Sequence, residues 1–191
     1  MKKALLSGVA SLVLTAALSA PAAALTVEGV DIPETYSTGG QELTLNGAGT
    51  RSKFFLDLYV GSLYVPEPGH DGAAIIAADE PQVISLHIIS GMITSERMTK
   101  ATREGFEAST GGKLAAIQDD VDRFMGVFRD EIREGDVFDL AYVPGQGVQV
   151  FKNGDLKDTV GGLAFKKALF GIWLSEHPAQ KDLKEKMLGQ N

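Results

Sequence analysis

The chain has 191 residues, 44% hydrophobic and 23% charged, enough to bury a core and an ordinary length for one domain. Its 18 lysines and arginines stand against 25 acidic residues, and this formal net charge of −7 argues against a nucleic-acid binder, which normally presents a basic face. The lack of cysteine excludes disulfides, thiolate metal sites and cysteine nucleophiles.

The first residues have the pattern of a secretory signal peptide. Lys2 and Lys3 precede an apolar stretch at 4–20, and small residues in an A-x-A arrangement follow it. We predict that residues 1–24 are a cleaved signal peptide, that 25–191 form one domain, and that this bacterial protein is periplasmic or secreted. A membrane anchor is the alternative, but the stretch is short for a span, so we expect no stable anchor after cleavage.

The following segments predict strands separated by turns. Apolar and polar residues alternate around Leu43 and Leu45, whereas glycines interrupt the pattern at 47–51. A long strand is then expected, with one face formed by Phe54, Leu56, Leu58 and Val60. Further strands are predicted at 83–90, 137–143 and 148–151, the last of them followed by a tight hairpin turn at Asn153-Gly154.

Helices are predicted between and after these strands. Thr94 or Ser95 can cap the first helix, and apolar residues at spacings of three and four from Leu114 to Phe128 predict a second. The chain is expected to end with a helix over 160–174 and a shorter one opened by Pro178. This order indicates an α+β domain, with a mostly antiparallel sheet covered on one face by helices.

Familiar catalytic and metal-binding motifs are missing. The three histidines, His70, His87 and His177, are too scattered for a metal site, and there is no nucleophile elbow or phosphate-binding loop. Asp119 and Asp120 fall on a helix surface, where their role is to solvate it. We therefore predict no metal and no cofactor.

Arg51 is the candidate functional residue. The glycines before it let the backbone approach a ligand or a neighbouring strand closely. A guanidinium pointing from there into the space between sheet and helices would match a carboxylate, or an oxygen on which negative charge develops. The alternative is a surface arginine paired with one of the many acidic side chains.

Three segments of the chain resemble the chalcone isomerases. Residues 45–51 (LNGAGTR) and 63–65 (LYV) look like the family's GGAGxR…VYL segment. Residues 94–98 fall where the family begins a core helix, and residues 168–184 are similar to its C-terminal GEHAVSPDLK region. The resemblance is to a bacterial, exported branch, and it implies an open-faced β-sandwich: a long antiparallel sheet backed by a layer of helices, with a ligand cleft between them.

The resemblance also implies site residues. In the plant enzymes the motif arginine, here Arg51, steers a chalcone phenolate toward ring closure; related plastid proteins use it to hold a fatty-acid carboxylate. The other enzyme positions are not kept. The strand threonine falls near Tyr59, the helix tyrosine at Met98, the asparagine at Gly105 and the strand lysine near Ile89. Met98 cannot donate a hydrogen bond to a substrate ketone.

These expectations support three hypotheses. The first is a non-catalytic domain that binds a small apolar carboxylic acid, similar to a fatty acid, with Arg51 on the carboxylate and Tyr59 and Met98 in the cleft wall. The second is an isomerase or intramolecular lyase that uses Arg51 to stabilise an enolate-like or phenolate oxygen. The third is a ligand-free structural or accessory periplasmic protein, with Arg51 fixed by Asp57 or Glu42. The first two require a cavity beside Arg51.

Overall fold

The computed structural model of the chain describes residues 24–190. Except for Ala24, the predicted signal peptide lies outside the described residues. The strands are β1 (Leu25–Val27), β2 (Val30–Ile32), β3 (Thr35–Thr38), β4 (Gln41–Lys53), β5 (Leu56–Val65), β6 (Gln82–Ile88), β7 (Val137–Val143), β8 (Gly147–Lys152) and β9 (Asp155–Val160). The helices are α1 (Gly72–Ala77), α2 (Ser95–Thr110), α3 (Gln118–Met125), α4 (Leu163–Leu174) and α5 (Lys181–Met187), and a 3-10 helix spans Gly126–Arg129.

Strands β3 to β9 form one antiparallel sheet in chain order, and β1 and β2 form a separate hairpin. The helices pack on one face of the sheet, here called the helix face, around the rings of Phe106, Phe124 and Phe165, whose centroids lie 5.6 to 6.1 Å apart. The β1–β2 hairpin packs on part of the opposite face through Ile32. The predicted α+β fold, an antiparallel sheet backed by helices, is confirmed.

Strand β4 corrects the predicted interruption at 47–51, because it continues through the glycines to Lys53. A β-carbon at Gly47 would lie 2.1 Å from the carbonyl oxygen of Lys186 in α5, and one at Gly49 would lie 2.6 Å from the Lys186 β-carbon. The glycines therefore leave β4 without side chains at the positions where α5 packs closely against its backbone. Asn46, at a register shift in β4, fastens the same helix by donating from Nδ2 to the carbonyl oxygen of Met187 at 2.8 Å.

The turn between β4 and β5 corrects a second expectation. Phe54 and Phe55 were predicted within a strand, but they are the two central residues of the hairpin turn between Lys53 and Leu56. Both have positive φ, 52° and 64°, as a type I′ turn requires, although that turn normally takes asparagine and glycine. No residue of the described range 24–190 covers them: Phe54 is 82% exposed and Phe55 is 105% exposed.

Several helix boundaries also differ from the predictions. Thr94 caps α2 as expected, its Oγ1 accepting a hydrogen bond from the Arg97 N–H. Helix α3 begins only at Gln118, and α4 begins at Leu163 because Val160 still belongs to β9. Helix α1 was not predicted; it is too short to show an apolar period, and Asp71 caps its first turn.

Lys166 of α4 is completely buried. Its Nζ donates to the carbonyl oxygens of Ile75 at 2.7 Å, Ile76 at 3.0 Å and Ala78 at 3.0 Å, which lie at the C-terminal end of α1. These bonds satisfy carbonyl groups that a helix end leaves without partners. One buried ammonium group thus ties α1 to α4.

Candidate functional site

Arg51 and Tyr59 are directly opposite each other on β4 and β5, so their side chains start from the same face of the sheet. This is the helix face, since Tyr59 belongs to the core beneath the helices. Arg51 is half-buried, and its Nη1 donates to the carbonyl oxygen of Ser52 at 2.6 Å and to Oε1 of Gln180 at 3.0 Å. The arginine therefore bridges the end of β4 and the segment that leads into α5.

Gln180, which sequence reasoning missed, is the second part of the site. It directly precedes α5, and its Oε1 accepts from Arg51 Nη1 and also from the Ser52 backbone N–H at 2.9 Å. One side-chain oxygen thus lies where a cation and an N–H group converge. Gln180 is 129 positions from Arg51, and no local pattern marks it.

The proposed pairing of Arg51 with an internal acid is wrong. Asp57 instead accepts a hydrogen bond from the Ser52 hydroxyl at 2.6 Å. Glu42 lies opposite Ser37, at the other end of β4. Among the ion pairs between residues 24 and 190, none involves Arg51. The hydrogen bonds of the Arg51 guanidinium go to two neutral oxygens, the Ser52 carbonyl oxygen and Gln180 Oε1.

Tyr59 is a buried, neutral hydroxyl. Its oxygen accepts a hydrogen bond from Trp173 Nε1 at 2.9 Å. Burial raises the pKa of Tyr59, and the Trp173 N–H and the charge of Arg51 oppose that rise only in part. Trp173, also missed by sequence reasoning, is the chain's single tryptophan and reports on this position by its fluorescence.

Met98, in the first turns of α2, is buried in the same core cluster as Tyr59 and Trp173. It brings apolar surface and no hydrogen-bond donor. Gly105, two turns further along α2, faces α4: a β-carbon there would lie 2.7 Å from Cγ2 of Ile172. Position 105 is therefore used for helix packing.

The sequence profile of the chalcone isomerase-like family matches residues 24–189. The chain belongs to this family. A fatty-acid binding protein of Arabidopsis thaliana has a similar structure, with a TM-score of 0.65 at 18% sequence identity, over 84% of this chain and 92% of that chain. At that identity the similarity shows the fold alone. A search of curated proteins found no match.

Two surface depressions of this chalcone isomerase-like chain are not lined by the motif arginine. One, of about 720 Å³, is lined by residues such as Gln41, Pro81 and Val143. The other, of about 580 Å³, is lined by residues such as His87 and Glu134. Neither is lined by the predicted site residues, so the cleft expected beside Arg51 is not one of these two.

Residues 24–190 contain no group of three histidine, aspartate or glutamate side chains placed to hold a metal ion. His70 Nδ1 is hydrogen-bonded to the carbonyl oxygen of Leu188 at 2.6 Å, and burial lowers the pKa of His87 in β6. Within the same residues, no helix is long and apolar enough to cross a membrane.

Proposed function

We propose that this protein binds a small apolar carboxylic acid, similar to a fatty acid, between the sheet and the helices, without catalysing a reaction on it. The observation that carries the proposal is a pair of neighbouring groups with unused donors. The two well-formed hydrogen bonds that Arg51 makes within residues 24–190 both start from Nη1. Its guanidinium also lies close enough to the Tyr59 hydroxyl to act on the pKa of Tyr59, so a ligand carboxylate would share Nε or Nη2 with that hydroxyl. The Tyr59 hydroxyl accepts from Trp173, so its own proton is available as well. Together they match the oxygens of one carboxylate.

The amide oxygen of Gln180 supports this assignment. It accepts from Arg51 and from the Ser52 N–H, as a carboxylate oxygen would. A carboxylate forms stronger, charge-assisted bonds with the same donors and would replace the amide. Tyr59 and Met98 are buried, and neither surface depression is lined by Arg51. The cavity that this hypothesis requires must therefore open on binding, and we propose that Gln180 and the segment before α5 move aside when a ligand enters.

The same residues argue for binding rather than catalysis. Met98, at the position of the enzymes' helix tyrosine, has no proton to give, and position 105 faces α4. The raised pKa of Tyr59 makes it a poor base at neutral pH. What the site retains is a fixed cation and a neutral hydroxyl, which suit recognition of an anion.

Substitutions at Arg51 and Gln180 test the proposal. We expect Arg51→Met to weaken binding of dodecanoate about 10- to 100-fold, the loss of a charge-assisted contact, and to leave binding of the neutral analogue dodecanol unchanged. Gln180→Glu keeps the shape of the side chain but places an internal carboxylate on Arg51, so it should also lower dodecanoate affinity. Isothermal titration, with Trp173 fluorescence as a second signal, measures each constant.

Three outcomes would contradict the proposal. Equal affinity of the wild type for dodecanoate and dodecanol would show that the ligand's carboxylate contributes nothing to binding. An unchanged dodecanoate affinity in Arg51→Met would show that the Arg51 guanidinium does not bind the carboxylate. Turnover of a chalcone above its spontaneous rate, abolished by Arg51→Met, would favour an isomerase instead.

We also propose that the protein works outside the cytoplasm of a bacterial cell, on the strength of the basic start, the apolar stretch and the A-x-A ending of residues 1–24. When the full sequence is expressed in a bacterial host, mass spectrometry of the periplasmic fraction is expected to find a chain that begins near Leu25. A chain that keeps Met1 and remains in the cytoplasm would contradict this.

A further inference from the structure

The turn between β4 and β5 combines strain with exposure. Phe54 and Phe55 both occupy the left-handed region of φ, which is a genuine outlier for bulky side chains. Burial does not compensate for the strain, since the two rings are among the most exposed apolar groups of residues 24–190. Leu56 extends the apolar surface and is 46% exposed. We call these three residues the Phe tip.

We propose that the Phe tip inserts into the surface of a phospholipid bilayer. Strained residues that the fold does not need for packing point to a function, and an exposed apolar patch points to an interaction surface. The proposal does not depend on a ligand at Arg51, although the Phe tip directly follows β4, the strand that contains Arg51.

A positive charge directly precedes the tip, and the carboxylate of Asp57, which directly follows it, is hydrogen-bonded to the Ser52 hydroxyl. Lys53, the last residue of β4, has its Nζ 5.7 Å from the centre of the Phe54 ring. On insertion the aromatic rings would contact acyl chains, and the ammonium group, on its long flexible side chain, would reach the lipid phosphates, as amphipathic side chains do at membrane surfaces. The chain's excess of acidic over basic residues, 25 against 18, opposes binding to strongly anionic membranes, and cleavage of residues 1–24 with Lys2 and Lys3 would increase it. A zwitterionic surface is therefore the expected partner.

The size of the tip argues against a second copy of the chain as its partner. Two phenylalanine side chains supply on the order of 400 Å² of contact surface. A stable protein interface needs about 800 Å² from each partner. A small, convex, aromatic tip is suited to a soft lipid layer, where transfer of each phenylalanine strengthens partition roughly tenfold or more.

Flotation with phosphatidylcholine vesicles tests the proposal. All proteins are purified by one route, so that they share the same N-terminus. The wild type should float with the vesicles, and F54N/F55G should lower the partition constant more than tenfold. Asparagine and glycine suit the positive φ angles, so the variant should fold and should melt roughly 5 °C higher. The control Leu156→Ser removes an apolar side chain of β9 that is 55% exposed, and it should float like the wild type.

A dye reports on insertion at the tip itself. Because the chain has no cysteine, Leu56→Cys can be labelled specifically with an environment-sensitive nitrobenzoxadiazole dye. Its emission should rise and shift to the blue with vesicles, whereas the dye at Gln146→Cys, in the turn between β7 and β8, should not respond. The proposal is overturned if the wild type does not float, if F54N/F55G floats equally well or if the dye at position 56 is silent. It is also overturned if F54N/F55G converts a dimer to a monomer in sedimentation, since the tip would then join two copies.

Discussion

Gly47→Ala is expected to lower the free energy of unfolding by about 3 kcal/mol or more. The new β-carbon would lie 2.1 Å from the carbonyl oxygen of Lys186 and 3.0 Å from that of Met187. Both are backbone atoms of α5 and cannot move aside as a flexible side chain would. The helix must therefore lift from β4, and urea unfolding followed by Trp173 fluorescence measures the cost.

Gly61→Ala is the matched control for this substitution. Gly61 lies on β5, opposite Gly49, and faces the same helix. Its added β-carbon would be 3.5 Å from Cδ1 of Leu183, an ordinary packing distance, so we expect a change below about 1 kcal/mol. Equal effects of the two alanines would mean that close approach of α5 is not the reason for the glycine at position 47.

Lys166→Met is expected to destabilise the protein by about 3 kcal/mol at pH 7. The methionine fills similar space but leaves three carbonyl groups at the end of α1 without their donor, and each buried, unpaired carbonyl costs about 1–3 kcal/mol. The gain from no longer burying a charge offsets part of that cost. Lys167→Met, a change at the exposed neighbour, is the control and should be nearly neutral.

The effect of Lys166 should also depend on pH. Burial is the main cause that lowers the pKa of Lys166 from 10.5 to about 8, and Lys167 adds to it. Between these values the unfolded chain holds a proton that the folded chain has released, so stability from this residue rises with pH. The difference in unfolding free energy between wild type and Lys166→Met should grow by about 1–2 kcal/mol from pH 7 to pH 9.5. A constant difference would contradict the lowered pKa.

Local patterns predicted the features that depend on neighbouring residues. The cap at Thr94 and the Asn153-Gly154 turn are both present, the turn with φ of 53° and 82°. The glycines in β4 were misread as a break because, within a local window, glycine weakens a strand. Their role depends on α5, which comes more than 130 positions later in the chain.

The candidate site was predictable only in part. The glycines before Arg51 and the family resemblance pointed to that residue, and the resemblance placed Tyr59 in the same site. Gln180 and Trp173, which hydrogen-bond these two residues, come from distant parts of the chain and carry no motif of their own. The turn at Phe54 and Phe55 was missed because aromatic residues favour strands and rarely accept positive φ.

The most direct test of the proposed function is a crystal structure of the protein grown with dodecanoate. We expect the carboxylate within hydrogen-bond distance of the Arg51 guanidinium and the Tyr59 hydroxyl, the acyl chain against Met98, and the Gln180 side chain displaced from Arg51. Density for dodecanoate elsewhere, with Gln180 still bound to Arg51, would contradict the assignment of this site.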